Sequence, residues 1–134
     1  MSFVIDASIL AAWFLGEKSD PRIETAIDAL ARIEACAPTL LFYEIRNALL
    51  MSERRRRITE GMSAAFLRDL ALLPIRLEPP RQEASLMALA REWKLTVHDA
   101  TYLELARRRK LPLATLDGQL SKAGKALGMT LLGT

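Results

Sequence analysis

Cysteine and histidine are almost missing from this sequence: its 134 residues include one cysteine, Cys36, and one histidine, His98. A single cysteine excludes an intramolecular disulfide, and together the two residues are too few for a Cys/His zinc cluster. No apolar run approaches the roughly 20 residues that a membrane-spanning helix needs. The start, Met1-Ser2-Phe3, lacks the basic segment of a signal peptide. We therefore expect a cytoplasmic protein.

The composition is that of a chain that can bury a core. Hydrophobic residues make up 51% of the sequence and charged residues 26%, with a mean hydropathy of +0.11. These values argue against disorder. Internal repeats and low-complexity linkers are also absent, so we expect one domain over residues 1–134.

Basic residues are concentrated in two runs. Arg54–Arg57 and Arg107–Lys110 hold eight of the 19 basic residues, although the net charge is only +3. Such clusters suit a polyanion. The alternative is a pair of solvated helix ends, where cations complement the helix dipole. The candidate polyanion contacts are Arg54, Arg55, Arg56, Arg57, Arg107 and Arg108.

The first residues define the element around which the rest is arranged. Phe3, Val4 and Ile5 form a short apolar run typical of a buried strand. Asp6 ends that strand, and Ser8 is a suitable N-cap for a helix over residues 9–15. A carboxylate at the carboxyl end of a parallel strand lies where open α/β sheets bind their ligands.

Strand and helix patterns alternate along the chain. Strands are predicted near residues 3–5, 35–37, 74–77, 112–116 and 129–132, with helices between them. This alternation indicates an α/β fold, a mostly parallel sheet of about five strands with helices on both faces. The fourth strand repeats the opening pattern, since Asp117 follows it. Asp6 and Asp117 should therefore share one edge of the sheet.

Two more acids are placed on helices near that edge. Glu44 and Asn47 lie one turn apart on a helix over residues 40–55, and Asp99 precedes a helix over residues 100–110. The alternative role of Glu44 is an ion pair with Arg46 or a more distant arginine. The alternative role of Asp99 is that of an N-cap alone. His98 is interpreted as a packed or wall residue rather than a general base, since it has no visible partner.

Four carboxylates at one edge would repel one another, and shared divalent cations are the usual compensation. A site with oxygen ligands alone favours Mg²⁺ or Mn²⁺ over Zn²⁺. Such ions beside basic side chains suit cleavage of a phosphodiester by metal-activated water. The candidate catalytic and metal-binding residues are thus Asp6, Glu44, Asp99 and Asp117.

Four segments carry a family resemblance over essentially the whole chain: Ile5-Asp6-Ala7-Ser8, Glu44-Ile45-Arg46-Asn47-Ala48-Leu49, His98-Asp99-Ala100-Thr101-Tyr102-Leu103 and Ala114-Thr115-Leu116-Asp117. In order and spacing they resemble the motifs of PIN-domain ribonucleases, and most closely those of VapC-type toxins from toxin–antitoxin pairs. The resemblance implies that Asp6 and Asp99 are the principal Mg²⁺ or Mn²⁺ ligands, completed by Asp117 and Glu44. It also implies that Ser8, Asn47 and Thr115 orient these acids. His98 departs from the family pattern, which more often has Tyr there.

The resemblance further implies a substrate and partners. It predicts an endoribonuclease whose RNA substrate is often structured, such as tRNA, and whose activity a cognate antitoxin blocks. A homodimer is expected, with promoter DNA bound only through the antitoxin. Two alternatives stay open. A phosphoacceptor receiver domain should have adjacent acids after the first strand and a late Lys, which Ala7-Ser8 and residues 129–134 lack. A catalytically silent PIN-like module would bind RNA or protein without cleaving it.

Overall fold

The protein is described here from a computed structural model, which covers residues 1–17 and 19–134. No helix in these residues is long and apolar enough to span a bilayer. The strands are β1 (Ser2–Ile5), β2 (Glu34–Pro38), β3 (Ile75–Glu78) and β4 (Leu113–Ala114). The helices are α1 (Ala7–Phe14), α2 (Pro21–Leu30), α3 (Leu40–Arg54), α4 (Glu60–Ala71), α5 (Glu83–Trp93), α6 (Val97–Arg109) and α7 (Gly118–Ala126).

The sheet is parallel throughout, with the strand order β3-β2-β1-β4. This confirms the predicted α/β fold. Helix α1 packs against α2 and α3, whereas α6 packs against α5 and α7 and lies on β1 and β2. With the usual right-handed crossovers, this strand order puts the helices between β1 and β3 on one face of the sheet and those between β3 and β4 on the other. The direction of winding reverses between β1 and β4. Ligands bind at this kind of switch point, outside the carboxyl ends of the strands.

Burial explains which segments became strands. Phe3, Val4 and Ile5 are buried in the central strand β1, and the small residues 35–37 are buried in β2. Small side chains there let α6 lie close to the sheet, and residues 100–106 of α6 are buried without a break. In contrast, β3 is a half-exposed edge strand, as Pro74 just before it predicted.

Helices α1 and α6 begin two and three residues earlier than predicted, at Ala7 and Val97. Asp6, not Ser8, is the N-cap of α1, because its side chain accepts hydrogen bonds from the backbone N–H groups of Ser8 and Ile9. Thr96, not Asp99, caps α6 and accepts from the N–H of Asp99. Asp99 therefore lies inside the first turn of α6. Both corrections have one cause, since Ser, Thr and Asp are all good caps.

The predicted fifth strand over residues 129–132 is wrong, and the sheet has four strands in the described residues. This segment makes a single parallel bridge, between Leu131 and Leu113. The backbone of Leu113 donates to the Thr130 carbonyl at 2.9 Å and accepts from Leu132 at 3.0 Å. A longer ladder cannot form because β4 itself is only two residues long. The predicted strand over residues 112–116 is shortened for the same reason: its last residues turn toward Asp6.

Candidate active site

Asp6 is the most constrained side chain of the candidate site. It follows β1 and is 5% exposed. Its Oδ1 atom accepts hydrogen bonds from the Ser8 hydroxyl (2.5 Å) and from the N–H groups of Ser8 (3.1 Å) and Ile9 (3.3 Å). Its Oδ2 atom accepts from the Thr115 hydroxyl. A carboxylate has about four lone-pair directions, so the remaining capacity for a ligand lies on Oδ2.

Ser8 and Thr115 connect Asp6 to the segment that leaves β4. The Ser8 hydroxyl oxygen accepts the N–H of Leu116 at 2.9 Å, and the Thr115 hydroxyl oxygen accepts the N–H of Asp117 at 3.0 Å. Each hydroxyl thus donates to Asp6 and accepts from the chain just before or at Asp117. The path of that chain, and with it the position of Asp117, depends on the same hydrogen bonds that hold Asp6.

Burial raises the pKa of Asp6 to about 6, although the hydrogen bonds from Ser8 and Thr115 act to lower it. An ionised Asp6 is therefore incompletely compensated by the protein. Arg22, which the sequence did not single out, lies near Asp6 at the carboxyl end of β4. It pairs with Asp20 (2.7 Å) and donates to the Thr115 carbonyl (3.3 Å). The hydrogen bonds to Asp20 raise the pKa of Arg22, and the charge of Asp6 adds to this.

Asp117 lies close enough to Asp99 to affect its pKa. Asp117 caps α7, with its Oδ1 atom accepting the N–H of Leu120 at 2.9 Å. Burial is the first cause that raises the pKa of Asp99, and the negative charge of Asp117 is the second. The structure thus brings an acid from the end of the sheet and an acid from α6 into one electrostatic environment.

Glu44 is held by a residue that the sequence did not single out. It accepts a hydrogen bond from the hydroxyl of Tyr102, which is 2% exposed. Burial and this contact with Glu44 raise the pKa of Tyr102. Arg46 is not the partner of Glu44, since it donates to the Phe42 carbonyl at 3.0 Å. The sequence places Tyr102 three positions after Asp99, and so on the same side of α6, but does not indicate that it reaches Glu44.

An open groove separates α3 from the first turn of α6. Its volume is about 530 Å³, and its lining residues are Leu40, Tyr43, Glu44, Arg46, Asn47, Leu50 and His98. Asn47 is an exposed groove residue and makes no side-chain hydrogen bond to an acid among the described residues. His98 is exposed on the opposite wall, which agrees with its interpretation as a wall residue.

The two basic runs differ in their surroundings. Arg54 to Arg57 are exposed at and beyond the end of α3. In the second run, Arg107 donates to the Ser85 hydroxyl at 2.5 Å and Arg108 pairs with buried Glu104 at 2.7 Å. Arg109 pairs with Glu78. The second run is therefore largely occupied by contacts within the protein.

The donor chemistry of the site fits a hard divalent cation. Within residues 1–17 and 19–134, no three Asp, Glu, His or Cys side chains form a ready-made cluster. The candidate ligands are nevertheless all carboxylates: Oδ2 of Asp6, which keeps a free direction, and the mutually repelling Asp99 and Asp117. Oxygen ligands of this kind suit Mg²⁺ or Mn²⁺.

Comparison with known proteins identifies the family. The sequence profile of the PIN domain matches residues 3–126. The chain belongs to the PIN-domain family. Ribonuclease VapC3 of Pyrobaculum aerophilum is 31% identical over 132 residues, which cover 95% of this PIN domain chain and 98% of that protein. The resemblance predicted from the four motifs is thereby confirmed at the level of the family.

Solved structures agree with the PIN fold. The crystal structure of PAE2754 from Pyrobaculum aerophilum superposes with a TM-score of 0.71 and 25% identity, over 98% of this chain and 83% of that one. The structure of VapC20 of Mycobacterium tuberculosis, described as a toxin that cleaves the sarcin–ricin loop, gives a TM-score of 0.59. At 23% identity over 91% of this chain and 95% of that chain, it supports the fold alone.

Proposed function

We propose that this PIN domain is a Mg²⁺- or Mn²⁺-dependent endoribonuclease and the toxin of a type II toxin–antitoxin pair. The observation that carries the proposal is the acidic centre at the switch point of the sheet. Buried Asp6 keeps one free oxygen direction there, while burial and the nearby charge of Asp117 raise the pKa of Asp99. Similarity over nearly the full length to a protein named ribonuclease VapC3 supports RNA as the substrate.

Asp6, Asp99 and Asp117 are the proposed metal ligands, with Glu44 completing the set from α3. A bound Mg²⁺ or Mn²⁺ supplies charge stabilisation at the phosphate and lowers the pKa of a coordinated water. Ser8 and Thr115 orient Asp6 through their hydroxyls. Tyr102 orients Glu44, and Asn47 offers an amide on the same wall of the groove as Glu44.

The arginines at the end of α3 are the proposed contacts for the RNA backbone. Arg54, Arg55, Arg56 and Arg57 are exposed, so they are open to phosphate groups. Such contacts give affinity without sequence preference and weaken as salt increases. Arg107 is exposed and remains a proposed contact, whereas the pairing of Arg108 with Glu104 makes it the weakest candidate of the six.

The proposed partners follow from the family. A cognate antitoxin would block the nuclease, and promoter DNA would be bound only through that antitoxin. A homodimer in the cytoplasm is the proposed working state. The name of VapC3, the full-length relative, supports a place in this group of PIN domains.

The second candidate is a silent PIN domain that binds RNA or protein without cleaving it. One observation favours it, namely that the described residues hold no ready-made cluster of three metal-binding side chains. A silent domain needs no divalent cation at Asp6. Dependence on that cation therefore separates the two functions.

Cleavage of total cellular RNA by the purified, antitoxin-free protein tests the proposal. The reactions contain Mg²⁺, Mn²⁺ or excess EDTA, and Asp6→Asn is run in parallel. The nuclease predicts discrete fragments that require the metal and vanish with Asp6→Asn. Fragments that persist in EDTA and with Asp6→Asn would contradict it. With no cleavage in any reaction, a Mn²⁺ titration that detects no binding would establish the silent domain.

A further inference from the structure

An exposed aromatic side chain stands directly beside the acidic centre. Tyr43 precedes Glu44 on α3, lines the same groove and is 69% exposed. Its neighbour Phe42 is 43% exposed. Exposed aromatic surface next to a candidate catalytic group is a mark of a binding site rather than of the core.

The Tyr43 ring is supported by Phe42, which is itself held by Arg46. The guanidinium of Arg46 lies 3.5 Å from the centre of the Phe42 ring, and the same group donates to the Phe42 carbonyl. Phe42 in turn packs against Tyr43 with the ring centres 5.2 Å apart and the planes at 74°. This edge contact covers little of the Tyr43 ring, so a fixed aromatic face is left open to a ligand.

Tyr43 has polar neighbours in the groove and exposed arginines further along the same helix. Asn47 and His98 line the groove with it, and both can bond to the edges of nucleobases. Tyr43, Asn47, Leu50 and Arg54 follow one another at intervals of three or four positions, and all four are exposed. We call this row the α3 stripe. It runs about 17 Å along the helix, from the aromatic ring to the exposed Arg54.

We propose that Tyr43 is a stacking platform for an unpaired base of the RNA substrate, next to the phosphate that is cleaved. The inference rests on the proposed nuclease function and specifies how its substrate is bound. Proteins recognise single-stranded RNA by stacking its bases on aromatic side chains within a basic groove. The α3 stripe has both parts and adjoins Glu44. A protein partner or a second copy of the chain would need no cations or base-reading groups there.

Binding of a short single-stranded oligoribonucleotide that carries 2-aminopurine tests the platform. The fluorescence of this base falls when it stacks, and EDTA in the buffer prevents metal-dependent cleavage. The full-length proteins compared are wild type, Tyr43→Phe, Tyr43→Ala and Leu72→Ala. Leu72 is a matched control, because it is an apolar side chain 85% exposed on another helix end. Far-UV circular dichroism verifies that each variant is folded.

The platform predicts that Tyr43→Ala weakens binding roughly 5- to 150-fold and abolishes the quenching. Tyr43→Phe and Leu72→Ala should behave as wild type. An abasic nucleotide at the quenched position should weaken wild-type binding equally and have no further effect on Tyr43→Ala. Unchanged RNA affinity in Tyr43→Ala would overturn the inference. If sedimentation velocity then showed that this variant had converted a dimer into a monomer, the face would be a contact between two copies of the chain instead.

The stacking platform and the nuclease function can each fail without the other. Quenching that depends on Tyr43, in a protein that cleaves no RNA, would retain the platform and remove the enzymatic assignment. Metal-dependent cleavage by a protein whose Tyr43→Ala variant keeps wild-type affinity would retain the nuclease and remove the platform.

Discussion

The two sides of the candidate active site are held in different ways. On the strand side, both oxygens of Asp6 are hydrogen-bonded, and Ser8 and Thr115 tie it to the chain before Asp117. On the helix side, Asp99 lies in the first turn of α6, and Glu44 accepts a hydrogen bond from the Tyr102 hydroxyl. Hydrogen bonds within the folded chain thus fix the Asp6 side chain. The side chains of Asp99 and Glu44 have fewer such contacts, so they can adjust more when a cation or a substrate binds.

The largest expected effect is on cleavage, where both sides should matter equally. Asp6→Asn and Asp99→Asn should each lower the rate roughly 100- to 10,000-fold, because metal-assisted charge stabilisation is worth several kcal/mol and each 1.4 kcal/mol is tenfold. Cleavage of a mapped RNA site under Mn²⁺ measures this. Asp69→Asn, an exposed acid on α4, is the control and should keep full activity. Activity that survives Asp99→Asn would remove the helix side from the site.

Asp6→Asn and Asp99→Asn should differ in their effect on the free energy of unfolding. Burial raises the pKa of Asp6 from 3.8 to about 6, so the folded protein holds that proton more tightly than the unfolded chain does. The metal-free protein should therefore lose stability as the pH rises from about 4 to above 6. At neutral pH, Asp6→Asn should raise the free energy of unfolding by up to about 3 kcal/mol. Asp99→Asn should change it less, since Asp99 is less buried.

Urea unfolding in EDTA, repeated across this pH range, measures the difference. The wild type and Asp6→Asn should converge toward acidic pH, where Asp6 is protonated in both folded and unfolded states. Equal stability of the two proteins at every pH would show that Asp6 carries no uncompensated charge.

Tyr102 provides a smaller test on the helix side. Tyr102→Phe removes the hydroxyl that holds Glu44 but leaves the packing of the ring in place. We expect the concentration of Mn²⁺ that half-saturates cleavage to rise about 10- to 100-fold, as is usual when a group that orients a ligand is lost. Phe66→Leu, a conservative change in the core, controls for a general loss of packing. An unchanged Mn²⁺ requirement would mean that Tyr102 serves packing alone.

The smallest expected effects distinguish the two arginine runs. Replacing Arg54 and Arg55 by Gln should reduce the slope of log affinity against log salt by up to about 1.4, from about 0.7 per lost phosphate contact on single-stranded RNA. Arg108→Gln should instead destabilise the fold by about 1–3 kcal/mol, because Glu104 is 1% exposed and would lose its partner. A salt slope that changes only with Arg108→Gln would reverse these assignments.

Much of the strand side could be predicted from the sequence. Apolar runs ending in Asp6 and Asp117 identify strand ends, and parallel strands bring such ends to one edge. The exact caps could not be predicted, because Asp6, Ser8, Thr96 and Asp99 are all good N-cap residues and local sequence does not rank them. The same ambiguity hid the fact that Asp6 caps a helix and also lies at the candidate metal site.

Contacts between distant segments were the part that the sequence concealed. Tyr102 reaches Glu44 across 58 positions, and Arg22 reaches Thr115 across 93. Neither pair has a local signal, since each depends on how the helices cross the sheet. The predicted strand over residues 129–132 failed for a related reason. Its apolar residues suit a strand, but only Leu113 of β4 is available to pair with it.

Titration of Mn²⁺, followed by electron paramagnetic resonance of the free ion, tests the central claim most directly: acids from both sides form one cation site. Wild type is compared with Asp6→Asn, Asp99→Asn and the control Asp69→Asn. The account predicts that Asp6→Asn and Asp99→Asn each weaken the same binding event at least about tenfold, while Asp69→Asn leaves it unchanged. Binding that is lost with Asp6→Asn but not with Asp99→Asn would contradict a shared site.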